Sequence, residues 1–132
     1  MGTSRYKPLK SILLIDDDLH LVKLLKDSLQ REGYRVYCGF DGGMAVHLAH
    51  KYHPDVILLD VNMPYVDGLK AFDQLRSKRD TAGIPVVFIS DMVSQVIYPT
   101  VRSSPRAAYL KKPIDLIDLN SFLRQFIEHA AA

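Results

Sequence analysis

Apolar and polar positions alternate along this chain in a repeating rhythm. Ser11-Ile12-Leu13-Leu14-Ile15 is a short apolar run, which predicts a strand covered on both faces. It stops at three consecutive aspartates, Asp16, Asp17 and Asp18. Leu21, Leu25 and Leu29 then recur every four positions with Val22 beside them, predicting a helix that Gly33 closes. Tyr34–Cys38 reads as a second strand and Gly43–Tyr52 as a second helix. Val56–Leu59 is a buried strand ending at Asp60, and after the loop Met63–Gly68 a helix carries Leu69, Phe72 and Leu75. Val86–Ile89 and Ala108–Leu110 are a fourth and a fifth strand. A last helix runs from about Asp115 to His129, with Asp115 and Asp118 at its positive end and Leu116, Leu119, Leu123, Phe126 and Ile127 toward the core. Residues 1–9 show no period and read as a tail before a domain at 10–129.

Five strand-then-helix units predict an α/β fold, a doubly wound parallel sheet with right-handed crossovers. In such sheets ligands bind beyond the carboxyl ends of the strands. The residues just past the first, third, fourth and fifth strands are Asp16 and Asp17, Asp60, Ser90, and Lys112.

Composition narrows the function classes. The 132 residues suit one domain, and a net charge of +2 gives no field for gathering nucleic acid or anionic lipid. The single cysteine, Cys38, excludes an internal disulfide and points to a reducing compartment, so a cytoplasmic location is expected. No apolar run approaches the roughly 18 residues of a membrane span, and no apolar signal region opens the chain. Nothing after His129 reads as a further module, so the chain is expected to stand alone or to be a segment of a longer protein.

As charges, three carboxylates gathered at neighbouring strand ends repel one another. At about 4 Å and an effective dielectric near 20, each pair costs about 4 kcal/mol. They must take up protons or bind a cation, and oxygen ligands beside one Lys suit Mg²⁺. Lys112 supplies a charge that a phosphoryl group can share, and Ser90 supplies a hydroxyl donor. The set describes a Mg²⁺-assisted phosphoryl-transfer site with a carboxylate nucleophile.

Four segments, Ile12-Leu-Leu-Ile-Asp16-Asp17-Asp18, Val56-Ile-Leu-Leu-Asp60-Val-Asn62-Met63-Pro64-Tyr-Val-Asp67-Gly68-Leu69, Val86-Val-Phe-Ile-Ser90 and Tyr109-Leu-Lys-Lys112-Pro113, resemble the receiver domain of two-component response regulators over about residues 10–128. The resemblance implies a flavodoxin-like (βα)5 sheet in the order 2-1-3-4-5. It implies that Asp60 accepts a phosphoryl group from a sensor histidine kinase or a histidine phosphotransfer protein. It also implies that Asp17 ligates Mg²⁺, with Asp16 acting through a water, Asp60 sharing the ion and Asn62 offering its backbone carbonyl. Lys112 pairs with Asp60 and then with the phosphoryl group. Ser90 and Tyr109 form a coupled switch that reshapes the face of the fourth helix, fifth strand and fifth helix for a downstream protein. Self-phosphorylation and autodephosphorylation would be the only reactions, a homodimer is compatible with them, and the Lys112–Pro113 peptide is expected to be cis.

Two departures stand out. Asp91 follows Ser90 where the family usually carries a small residue, so Asp91 and Met92 are candidate modulators. Asp91 is expected either to repel an anionic donor or to cap a helix in solvent. The fourth helix is expected to be short or irregular, because Pro99 and Pro105 fall between Met92 and Arg106 and a proline inside a helix costs about 3 kcal/mol.

Other readings need other residues. A degenerate receiver used only for docking would lack site residues that are present here. A small Mg²⁺-dependent phosphatase of the haloacid dehalogenase type would use the Asp16-x-Asp18 pair, but no second acidic motif follows. A flavodoxin-like cofactor binder needs a phosphate cradle where three aspartates stand. His47, His50 and His53 fall near one helix face and read as surface residues rather than a metal site.

Overall fold

The computed structural model describes residues 10–62, 67–91, 97–104 and 106–131. The tail read at 1–9, the candidate modulator Met92, and Met63, Pro64 and Pro105 lie outside the described residues. Five strands alternate with five helices: β1 (Ser11–Ile15), α1 (Leu19–Arg31), β2 (Arg35–Gly39), α2 (Gly43–Tyr52), β3 (Val56–Asp60), α3 (Gly68–Arg76), β4 (Val86–Ser90), α4 (Ile97–Ser103), β5 (Ala107–Lys111) and α5 (Leu116–Ala131). All strand pairs are parallel, in the order β2-β1-β3-β4-β5, as expected.

The continuous apolar runs have a simple cause: both faces of the sheet are covered. Leu13, Ile15, Ile57, Leu59, Val86 and Phe88 pack with Ala45, Ala49, Ala71, Phe72, Leu75 and Ile97 of α2, α3 and α4. The alternate residues Ile12, Leu14, Val56, Leu58, Val87 and Ile89 pack with Val22, Leu25, Leu29, Leu119, Leu123 and Ile127 of α1 and α5. Each fully buried Leu or Ile contributes about 1.5–3 kcal/mol, so the two layers hold the strand ends in fixed register.

Local signals set the boundaries. The Asp18 carboxylate caps α1 by accepting from the His20 and Leu21 amides, both at 3.1 Å. Gly33 ends that helix in the left-handed region at φ 97°, and the Tyr34 amide donates back to the Leu29 carbonyl. Tyr34 therefore belongs to the turn, and β2 begins one residue later than the apolar run suggests. Asp60 and Ser90 are the last residues of their strands rather than the first beyond them, since the ladder continues through Val61 N–H to Ile89 C=O at 3.0 Å.

The described part of α4 runs from Ile97 to Ser103 with Pro99 inside it, and the stretch 92–96 that precedes it lies outside the described residues.

Candidate functional site

The register of β1 on β3 and of β3 on β4 brings the carboxyl ends of three strands together. Ile15 pairs with Leu59, and Asp60 with Ile89, so the chain leaves β1 and β4 on either side of Asp60. The three consecutive aspartates then separate by role. Asp16 is fully buried, and its Oδ1 accepts from the Asp18 amide at 2.9 Å. Asp17 is exposed, and Asp18 is occupied in capping α1. Asp60 is 2% exposed, with Oδ1 accepting from the Asn62 amide at 3.3 Å. Asp16, Asp17 and Asp60 each present an oxygen within 4.8 Å of the others. Among the described residues no other group of three histidines, cysteines or carboxylates gathers this closely.

Lys112 joins this group from the far side of β4. Its amide donates to the Ser90 carbonyl at 2.7 Å, and the Lys112–Pro113 peptide is cis. Its ammonium lies 3.2 Å from Asp16 Oδ2 and 3.5 Å from Asp60 Oδ1. Lys111, its neighbour on the strand, points to solvent as strand alternation requires. Ser90 is 4% exposed at the end of β4.

One ammonium does not balance three carboxylates. Burial, reinforced by the Asp16 charge, pushes the Asp60 carboxyl up to about 6 against the opposing pull of Lys112 and the Asn62 amide. Burial pulls Lys112 down, but Asp16 and Asp60 outweigh it and leave that ammonium above its ordinary value. Among the described residues no donor is well aligned on Asp16 Oδ2, whose contact with the Lys112 ammonium is an ion pair. Buried, under-neutralised oxygens of this kind fit a hard divalent cation.

The other anticipated residues fall into place around this centre. Tyr109 is half-buried on β5, and its hydroxyl donates to that of Tyr98 on α4 at 2.9 Å, the rings meeting edge-on at 5.3 Å. Asp91 is exposed directly after Ser90, and its charge is felt at Lys112. His47, His50 and His53 stay on the surface, where His50 pairs with Asp80.

Two residues of the site carried no role in the sequence reading. Gly68 opens α3 against the backbone of β3, and a Cβ there would lie 2.3 Å from the Asp60 carbonyl oxygen and 2.8 Å from Val61 Cα. Only glycine permits this approach, and the Asp67-Gly68 pair within the second segment was the available signal. Tyr98 lay in a stretch read only for its prolines, and its partnership with Tyr109 depends on how α4 packs on β5.

Comparison with known proteins agrees with this geometry. The model of the response regulator receiver domain matches residues 12–124. Regulatory protein AtoC of Escherichia coli (strain K12) is 30% identical over 123 residues, covering 89% of this chain. The chain spans only 25% of that relative's length. Chemotaxis protein CheY4 of Vibrio cholerae superposes with a TM-score of 0.83 at 25% identity, over 90% of this chain and 99% of that one. The receiver domain of sensor histidine kinase PA1611 of Pseudomonas aeruginosa PAO1, solved with a magnesium ion coordinated in its active-site cleft, superposes with a TM-score of 0.81 at 26% identity, over 92% of this chain and 99% of that one.

Proposed function

Because the chain belongs to the response regulator receiver domain family, we propose that it is a phospho-accepting switch of a phosphorelay in which Asp60 takes the phosphoryl group with Mg²⁺ as cofactor. The observation that carries this reading is the Lys112 ammonium set between Asp16 and Asp60, at 3.2 and 3.5 Å, inside one buried carboxylate group. The receiver unit is assigned to residues 10–129, with 1–9 as a tail.

Asp17, Asp60 and the Asn62 backbone carbonyl would hold the ion directly and Asp16 through a water. When bound, the ion supplies positive charge to the carboxylates and polarises a phosphoryl oxygen. Asp60 must be ionised to attack, and the Lys112 charge and the Asn62 amide both favour that form. A carboxylate oxygen of Asp60 attacks the phosphorus of a phosphohistidine, the P–N bond breaks, and its electron pair stays on the imidazole of the donor protein. Lys112 then follows the negative charge onto a phosphoryl oxygen, and the Ser90 hydroxyl donates to another. Water later cleaves the acyl phosphate, returning Asp60. No separate substrate is turned over, so the chain is a switch rather than an enzyme. Asp18 is the cap of α1, which argues against an Asp16–Asp18 phosphatase pair.

The charge change at Asp60 is relayed by Ser90 moving toward the phosphoryl group and Tyr109 turning inward, away from Tyr98. Those two residues connect the site to the face of α4, β5 and α5, which a downstream protein would read. The donor would be a sensor histidine kinase or a histidine phosphotransfer protein in the cytoplasm.

Intact-mass analysis after incubation with a phosphodonor and Mg²⁺ tests the assignment. The parent should gain one phosphate and Asp60→Asn none; the same adduct on both would overturn it.

A further inference from the structure

A cavity of about 370 Å³ opens at the amino ends of the strands, lined among others by Lys10, Asp55, Arg79, Asp80 and Arg106. Lys10 precedes β1, Asp55 precedes β3, Arg79 and Asp80 lie between α3 and β4, and Arg106 precedes β5. The five residues of β3 separate Asp55 from Asp60 by about 16 Å, at about 3.3 Å per residue. This place is distinct from the carboxylate group.

Hydrogen bonds hold its walls. The Asp55 carboxylate accepts from the Ser11 amide at 2.7 Å, and the Asp55 amide donates to the Ser11 carbonyl at 2.9 Å. Arg106 Nη1 donates to the Gly83 carbonyl at 2.9 Å. Arg76, half-buried beside it, donates to the Ile84 and Arg106 carbonyls at 2.8 and 3.2 Å. Two guanidinium groups are thus ordered before any ligand arrives, which lowers the ordering cost of binding.

Charge at this end of the sheet is unbalanced in the positive sense. Lys10, Arg76, Arg79 and Arg106 meet two carboxylates, and both of those are engaged, Asp55 by Ser11 and Asp80 by His50. Lys10 and Arg79 are exposed, and among the described residues their side chains have no hydrogen-bond or ion-pair partner. Burial, and after it the Arg106 charge, holds the Arg76 guanidinium below its ordinary value. Residues 1–9 carry Arg5 and Lys7 and no carboxylate, so like charge disfavours that segment as the occupant.

A cavity of this volume lies in the range that holds small ligands. Its cations come from separate segments, so one phosphate reaches fewer of them than two linked phosphates do. Guanidinium forks also match phosphate oxygens two at a time. We infer that this cavity is a binding site for a diphosphate-class anion, free or at the end of a nucleotide, held by Lys10, Arg79 and Arg106.

The test titrates the full chain with pyrophosphate, inorganic phosphate and ADP, followed by backbone amide NMR. EDTA is present, so that the metal-free carboxylates around Asp60 repel anions. Pyrophosphate should move the Asp55, Gly83 and Arg106 amides saturably and leave those of Asn62 and Lys112 in place. Inorganic phosphate should bind about fivefold more weakly, and Arg79→Gln and Lys10→Gln should each weaken pyrophosphate by about threefold to fivefold. Affinity should fall as ionic strength rises from about 0.02 to about 0.3 M, because salt screens exposed charges. ADP distinguishes the sources: binding as tight as that of pyrophosphate identifies a terminal diphosphate as the group held, and binding of pyrophosphate alone identifies the free anion. Either result supports the site. No saturable movement, movement confined to Asn62 and Lys112, equal affinity for phosphate and pyrophosphate, or affinity unchanged in both variants would overturn it. The amide spectra of the variants report their fold in the same experiment, and both substituted side chains are exposed and unpartnered in the parent.

Discussion

Replacing Asp60 by Asn removes one charge from a crowded, buried group while keeping the side chain's shape. The Oδ1 atom of an asparagine can still accept from the Asn62 amide, a bond of 3.3 Å in the parent. In the folded chain the Asp60 carboxyl is pushed up to about 6 from an ordinary 3.8. Folding therefore favours the protonated form: the contribution to stability is complete below the ordinary aspartate range and is lost as pH rises through about 6. At 1.36 kcal/mol per unit, holding Asp60 ionised near neutrality costs the metal-free protein about 3 kcal/mol. Asparagine avoids that cost but leaves an amide beside Lys112, so a net gain of about 1–2 kcal/mol is expected. For a domain of this length that corresponds to a rise in Tm of roughly 3–8 °C. The assay is thermal or urea unfolding of both proteins in EDTA between pH 4 and 8. The advantage of Asp60→Asn should be largest at the neutral end and shrink as pH falls. Saturating Mg²⁺ should erase it, because the ion stabilises the parent by mass action. An asparagine variant equal to or less stable than the parent at pH 7.5 in EDTA, or an advantage that grows toward acid, would refute the claim of under-neutralised charge.

Three further outcomes follow from the same contacts. Gly68→Ala should lower stability by about 1–3 kcal/mol in urea unfolding and weaken Mg²⁺ binding by calorimetry, because the added Cβ must displace the Asp60 backbone. Lys112→Met should destabilise the metal-free protein by about 3–5 kcal/mol and raise the Asp60 pKa in a carboxyl-resolved NMR titration, since two buried carboxylates lose their only ammonium within 4 Å among the described residues. Tyr98→Phe should leave global stability within about 1 kcal/mol but speed hydrogen exchange in α4 and β5, where the hydroxyl bridge to Tyr109 is lost.

Much of the architecture was legible because local patterns report local causes. Runs such as Val56–Leu59 and Val86–Ile89 are apolar throughout because helices cover both faces, and the spacing of Leu25 and Leu29 reflects one buried helix stripe. Gly33 and Asp18 announce a helix end and a helix start by backbone and capping chemistry that acts within a few residues. The exception has an equally physical reason: Tyr34 has a strand former's side chain but sits in the turn that follows Gly33.

The candidate site divides along the same line. By itself the sequence determined which chemical types stand at the strand ends: carboxylates after β1 and in β3, a hydroxyl in β4, a lysine after β5. That follows from a hydrophobic period that any single segment displays. Only the tertiary structure decided what each group experiences. Asp16, Asp17 and Asp18 are identical in composition, yet one is buried against Lys112, one faces solvent within the carboxylate group and one caps a helix. The lifted pKa of Asp60 and the close approach of Gly68 likewise arise between segments far apart in the chain. Desolvation and Coulomb energies depend on distances through space, and those distances are set by strand register and two-sided packing rather than by neighbours along the backbone.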